Sequence, residues 1–175
     1  LASYHRSWDD GTYLFDFVPY FRLDYEDPSR NLIDIQELSW IRVGKDWELR
    51  AGVRKEFWGV AESRHLVDVI NQLDFTEGLD GEEKLGQPMV NLSLARNWGV
   101  VDIFLLPGFR ERRFSGINAR PSFPLAIKQN SAQFESGAKN YRLDFAFRWS
   151  HYFGDLELGI SHFTGTSREP RFLPK

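Results

Sequence analysis

The chain is 175 residues long, which is the size of one domain with a sizeable core. Its 22 basic and 25 acidic residues nearly cancel, so the charge gives no reason to expect a nucleic-acid partner. Cysteine is absent, which excludes disulfide frameworks, thiol catalysis and cysteine-ligated zinc. No run of about 18 apolar residues occurs, so the sequence predicts no transmembrane helix.

Apolar and polar residues alternate along most of the chain, which is typical of half-buried β-strands. In the second strand Tyr13, Phe15 and Phe17 share one face, and Asp16 lies on the other. The predicted strands cover residues 2–8, 12–24, 31–43, 47–57, 89–96 and 100–107, and two more lie within 141–162. The sequence therefore predicts an all-β domain of eight strands.

The third strand departs from this alternation. Ile33 and Ile35 share one face, whereas Leu38 and Trp40 share the other. A β-bulge near Gln36 would explain the change, because the extra residue reverses the order of faces. A strand with two apolar faces would explain it equally well.

Short and long connections alternate along the chain. Tight turns are predicted near residues 10, 45, 98 and 154, and long links follow the second, fourth, sixth and eighth strands. Short turns at one end and long loops at the other are typical of transmembrane β-barrels, whose strand ends also carry aromatic girdles. The predicted girdle residues are Tyr13, Trp47, Trp98, Tyr152 and Phe153.

These patterns predict an antiparallel up-and-down transmembrane β-barrel, with the apolar face toward lipid and the ionic face toward a hydrated lumen. Residues 1–175 are interpreted as one barrel domain that is cut at both ends and belongs to a larger barrel of roughly 14–18 strands. The alternative is a soluble lipocalin-like barrel, with the apolar face inside and the charges outside.

Ionic residues at alternate positions are the candidates for the lumen wall. One hypothesis is that they select solutes at a constriction, and the other is that they neutralise one another and keep the lumen wet. The candidates are Asp16, Arg22, Glu48, Arg50, Arg54, Asp102, Arg142, Asp144 and Arg148, with Asp24 and Asn91 beside them.

A short amphipathic helix is predicted between residues 61 and 72. Leu66, Val69, Ile70 and Leu73 have the i, i+3, i+4, i+7 spacing of one helical face. The helix could fold into the lumen as a constriction, or it could pack on the barrel rim. In the first case the residues facing water are Glu62, Arg64, His65 and Asp68.

Two of the long loops carry opposite charge. Residues 74–83 are acidic and could hold Ca²⁺ or simply be solvated, since carboxylate oxygens suit that ion but the EF-hand spacing is absent. The basic stretch "FRERRF" could contact the phosphates of lipopolysaccharide or be solvated.

The sequence gives no support for an enzyme, a metal site or a cofactor. Ser150 and His151 are neighbours on one strand, as are Ser161 and His162, so the members of each pair point to opposite faces and cannot form a dyad.

Two parts of the chain resemble a family of Gram-negative outer-membrane β-barrel proteins that are porin-like and have no established substrate: "RKEFWGVAESRHLVDVINQLDF…GEEKLGQPMVNLSL…GVVDIFLLPGFRERRF" and "RWSHYFGDLELGISHFTGTSREPRF". More distantly, residues 58–63 and 70–74 are similar to the "WGES" and "INP.D" segments of larger porin-like barrels. The resemblance implies a location in the outer membrane, contact with its lipid and lipopolysaccharide, and transport of a small or lipid-like solute. The alternative function is a closed structural or docking barrel without an open pore.

Overall fold

The structure is a computed structural model that describes residues 2–57, 69–78, 80–116, 119, 122, 127–128 and 131–173. Ten strands occur in these ranges: β1 Tyr4–Trp8, β2 Tyr13–Arg22, β3 Leu32–Val43, β4 Trp47–Arg54, β5 Asp74–Phe75, β6 Gln87–Arg96, β7 Gly99–Pro107, β8 Arg113–Phe114, β9 Leu143–Phe153 and β10 Leu156–Thr164. Two short 3-10 helices, Pro28–Arg30 and Lys139–Tyr141, lie in the loops.

Eight of the strands form one antiparallel sheet in the order β1-β2-β3-β4-β6-β7-β9-β10. Each strand pairs with its neighbour along the chain once the short strands β5 and β8 are set aside, and these two form a separate parallel pair. The predicted all-β architecture with eight antiparallel strands is therefore confirmed. Its four hairpins turn near residues 10, 45, 98 and 154, as the sequence predicts.

The eight strands form an open sheet and not a closed barrel. β1 and β10 stand at the two ends of the strand order, and each pairs with one neighbour, β2 and β9 respectively. These eight strands therefore do not close into a barrel by themselves.

The irregularity in β3 is a β-bulge at Gln36. Val18 pairs with Glu37 and the next residue of β2, Pro19, pairs with Ile35, so Gln36 has no partner on β2. The extra residue brings Ile33 and Ile35 onto the same face as Leu38 and Trp40, which decides between the two interpretations of this strand.

Residues 58–68 lie outside the described part of the chain, and most of the predicted helix at 61–72 falls there, together with Glu62, Arg64, His65 and Asp68. Its described end, residues 69–72, is irregular and not helical. Among the described residues, no helix is long and apolar enough to cross a membrane.

The core lies on the face of the sheet that carries the ions. Met89, Phe104, Leu106 and Ala146 project from the loop ends of β6, β7 and β9, and Ile70 from the segment before β5 packs onto them. All five are buried. Ile70, in the described segment before β5, therefore packs on the ionic face of the sheet.

Gly52 marks a close approach of two strands. Its φ of +141° is strained for any residue with a side chain, and a Cβ at this position would run into the main-chain carbonyl of Leu38 on β3. Glycine is therefore required where β4 lies against the buried Ser39.

Candidate functional site

The ionic face is defined here as the face of the sheet that carries Asp16, Arg50 and Asp102. Strand register brings its charged residues into rows that run across the sheet. One row near the turns consists of Glu48, Ser93, Asp102, Arg148 and Ser161. The next row toward the loops consists of Arg50, Asn91, Phe104, Ala146 and Phe163.

In the half of this face nearer the turns, basic and acidic side chains pair with each other. The Nδ1 of His5 lies 2.5 Å from Asp16 Oδ1, and the Nη2 of Arg148 lies 3.7 Å from Glu157 Oε1. Arg50 pairs with Glu48 on its own strand. These side chains are partly or largely exposed, so both water and the partner side chain stabilise their polar groups.

The half nearer the loops is held together by arginines, beginning with Arg22 at the end of β2. Its Nη1 donates to Glu77 Oε1 at 2.6 Å, and its Nη2 lies 3.3 Å from Asp74 Oδ2. Tyr20 also donates to Glu77. Burial and the nearby Glu83 carboxylate raise the pKa of Glu77. Asp74 and Glu77 of the acidic loop are therefore tied down by Arg22, whereas Asp80 and Glu82 are exposed to solvent.

Arg168 joins the segment after β10 to the same half of the face. Its Nη1 donates to Asp144 Oδ2 at 2.7 Å, and its Nε donates to the carbonyl of Ile70 at 3.1 Å. Both side chains of this ion pair are almost fully buried. Burial lowers the pKa of the Arg168 guanidinium, and the Asp144 carboxylate opposes that effect. The guanidinium also lies 5.1 Å from the ring of Phe163.

Asp27 ties the β2–β3 loop to the segment after β8. Its carboxylate accepts hydrogen bonds from Ser29 Oγ at 2.6 Å, from Ser29 N at 3.0 Å and from Gly116 N at 3.0 Å. Burial alone would raise the pKa of this carboxyl, but the donors from Ser29 and Gly116 outweigh it and the pKa is lowered.

The basic stretch "FRERRF" is turned toward the protein. Arg110 Nη2 donates to Asp34 Oδ2 at 2.8 Å, Arg112 Nη2 donates to Glu169 Oε1 at 2.7 Å, and Arg113 Nη2 donates to the carbonyl of Ser29 at 2.9 Å. These arginines join the stretch around β8 to β3 and to two other loops. Neither of the two sequence interpretations, lipopolysaccharide contact or plain solvation, included this role.

The structure places most of the predicted lumen residues on one face, in two groups. Asp16, Glu48, Arg50, Asp102 and Arg148 lie in the half nearer the turns, and Arg22, Arg54 and Asp144 lie in the half nearer the loops. Arg142 immediately precedes β9, with its Nε 3.6 Å from Asp144 Oδ1. Asp24 lies in the loop after β2 and pairs with Arg30, and Asn91 is buried in the row of Arg50.

The predicted girdle residues lie at the turn end of the sheet. Tyr13 and Trp47 begin β2 and β4, and Trp98 lies in the β6–β7 turn. Tyr152 and Phe153 end β9, with exposed side chains on opposite faces.

Several polar residues of the loop half were not among the sequence candidates. Asn71 donates from Nδ2 to the carbonyls of Arg54 and Leu85, both at 2.9 Å, and accepts from the N–H of Glu56 at 2.7 Å. Arg168 was missed as well. Neither residue belongs to an alternating run, so periodicity offers no signal for them.

No group of three or more histidine, aspartate or glutamate side chains in the described ranges is arranged to hold a metal ion. No protein-family model, curated protein or solved structure matches the chain. The resemblance to outer-membrane barrels therefore stays a prediction.

Proposed function

We propose that this chain forms part of the wall of a porin-like β-barrel in a Gram-negative outer membrane. Its ionic face lines the lumen, and small or lipid-like solutes pass along that face. The observation that carries the proposal is the position of the core: the packed cluster, with Ile70 over it, lies on the ionic face, whereas in the described part of the chain several large side chains of the apolar face are exposed.

A water-soluble sheet covers its apolar face, because burial of apolar surface is the main source of its stability. Here the exposed fraction is 69% for Phe21, 43% for Leu105 and 58% for Ile160, all on the apolar face. A lipid bilayer would cover such a surface, and backbone pairing within the sheet suits that environment.

The placement of short turns and long loops at opposite ends of the sheet supports the same proposal. Hairpin turns gather at one end of the sheet and the long links at the other, as in transmembrane barrels. The free edges of β1 and β10 would pair with further strands in a larger closed barrel.

A second candidate function is a closed barrel that serves as a structural or docking element. The filling of the loop half of the ionic face favours it, because Ile70 and the Arg168–Asp144 pair occupy space that an open lumen would need. The half nearer the turns carries no such cover among the described residues and favours the pore.

Single-channel conductance in planar bilayers tests the proposal. We expect discrete current steps, and in a salt gradient we expect Arg148→Gln to shift the reversal potential toward cation selectivity, because a positive charge leaves the lumen wall. Arg96→Gln is the matched control, since Arg96 lies at the turn end of the opposite face and pairs with Asp46.

Folded protein that inserts but carries no current would reject the pore and favour the closed barrel. An equal shift in both variants would place Arg148 outside the conducting path.

A further inference from the structure

Three arginines interrupt the apolar face, and all of them lie near the turns: Arg6 on β1, Arg42 on β3 and Arg96 on β6. Arg96 is paired, with its Nη1 2.8 Å from the carbonyl oxygen of Asp46 and 3.4 Å from its carboxylate. No carboxylate among the described residues lies within ion-pair distance of Arg6 or Arg42.

Arg6 and Arg42 belong to a continuous row of aromatic side chains. The Arg42 guanidinium lies 5.7 Å from the ring of Tyr13 and 5.4 Å from that of Trp47. Trp8 stacks on Tyr13 at 5.5 Å, and the Arg6 guanidinium lies 6.0 Å from Trp8. We name Arg6, Trp8, Tyr13, Arg42 and Trp47 the arginine–aromatic row; it spans β1 to β4.

The rings hold the guanidinium groups without occupying their hydrogen-bond donors. A cation–π contact positions the charge over a ring face, and the N–H groups stay free for an acceptor. At the β1 end of the row lies an open cleft of about 490 Å³. It is lined by Arg6 and Trp8 of the row and by Tyr4 and Phe15. Two cations without a carboxylate partner in the described structure, set among amphipathic rings with Arg6 lining a cleft, complement an anion that has an apolar body.

We propose that the arginine–aromatic row binds the phosphate of an anionic phospholipid in the leaflet around the turn end. The guanidinium groups donate to the phosphate oxygens, the rings lie at headgroup depth, and the acyl chains follow the apolar face toward the loops. This inference rests on the membrane insertion proposed above.

The test reconstitutes the intact protein into vesicles of phosphatidylcholine with phosphatidylglycerol and measures retained lipids by native mass spectrometry. We expect the unmodified protein to retain phosphatidylglycerol preferentially. The variant Arg6→Gln/Arg42→Gln should lose that preference by roughly fivefold for each arginine removed. Arg96→Gln, on the same face at the same end, should behave as the unmodified protein, and Arg42→Lys should fall between them because it keeps the charge but not the fork.

Vesicle flotation and protease resistance separate the two proposals. Inserted, folded protein that shows no preference, or that loses it equally in the double variant and in Arg96→Gln, overturns the lipid site and leaves the barrel proposal intact. Protein that does not insert overturns both. Displacement of phosphatidylglycerol by inorganic phosphate would show a site for free phosphate and would also overturn the lipid assignment.

Discussion

Arg168 and Asp144 form the most buried ion pair of the described structure, at 2.7 Å. The pair is hydrogen-bonded on both sides: Arg168 also donates to the carbonyl of Thr166 at 2.7 Å, and Asp144 accepts from Thr166 N at 3.0 Å. Gly165 lies against the carboxylate so closely that a Cβ would collide with it. Removing one partner would leave an uncompensated charge without water, which is more costly than removing both.

We therefore expect Asp144→Asn to lower the free energy of unfolding by about 3 kcal/mol. The double variant Asp144→Leu/Arg168→Met should lose less than the sum of its single changes, and a urea-unfolding cycle measures this coupling. Asp46→Asn, which breaks the exposed pair with Arg96, is the control and should cost under about 1 kcal/mol. Strictly additive losses would mean that the pair contributes no coupling.

The sequence predicts the charged residues of the ionic face only where they belong to a strand. Asp16, Arg50 and Arg148 share a face because strand alternation has a period of two, and the sequence shows that period directly. Arg168 lies beyond the last strand, and its partners come from β9 and from Ile70. No local pattern encodes a contact that depends on how two loops fold over the sheet.

At the scale of the elements, the bulge at Gln36 reconciles two incompatible patterns in β3. Ile33 and Ile35 before it and Leu38 and Trp40 after it have opposite parity in the sequence. These four side chains reach the same face because Gln36 is skipped in the pairing with β2. Gly86 fits against the carbonyls of Ile35 and Gln36, so the bulge also receives the segment before β6.

This geometry predicts that deletion of Gln36 is tolerated. The shortened strand would alternate without interruption and keep Ile35 and Leu38 on the apolar face, so the folded yield in detergent should stay close to that of the parent. Deletion of Ser39 is the matched control. It would turn Glu37 toward the apolar face and Leu38 toward the ions, and we expect the folded yield to collapse. Equal yields would contradict the bulge assignment.

Strands and turns of this chain are predictable from sequence because both signals are local: alternation within a strand, and tight turns such as Asn97-Trp98-Gly99 between strands. The short parallel pair of β5 and β8 was not predicted. It joins residues from two different long loops, Asp74 opposite Arg113 and Phe75 opposite Phe114, and two residues are too few to show a period.

On the scale of the whole molecule, the two faces of the sheet differ in what covers them. Met89 and Phe104 are only 1% and 3% exposed on the ionic face, whereas Phe21, Ile160 and Leu105 on the other face are 69%, 58% and 43% exposed. The sequence predicts the two faces but not which one the loops cover. Whether further strands close the sheet depends on residues outside these eight strands, so alternation within them carries no information on closure.

A pair of adjacent substitutions on β6 distinguishes a lipid-facing surface from a water-facing one. Leu92 projects from the apolar face and Ser93 from the ionic face. In vesicles, Leu92→Lys should lower the unfolding free energy by about 2–4 kcal/mol, the cost of a lysine near the bilayer midplane. Ser93→Lys, beside Asp102 and Glu48, should change it little. Equal effects in a urea titration would reject the lipid-facing assignment.

The long-range contact of Arg168 bears on the order in which parts of the chain fold. Each hairpin joins neighbours along the chain, so its ends meet within microseconds. The hydrogen bond from Arg168 to the Ile70 carbonyl spans 98 residues, and closing so long a loop requires the strands between them to be in place already. We therefore expect the contacts of Arg168 and Ile70 over the ionic face to form last, and to open while the sheet stays paired.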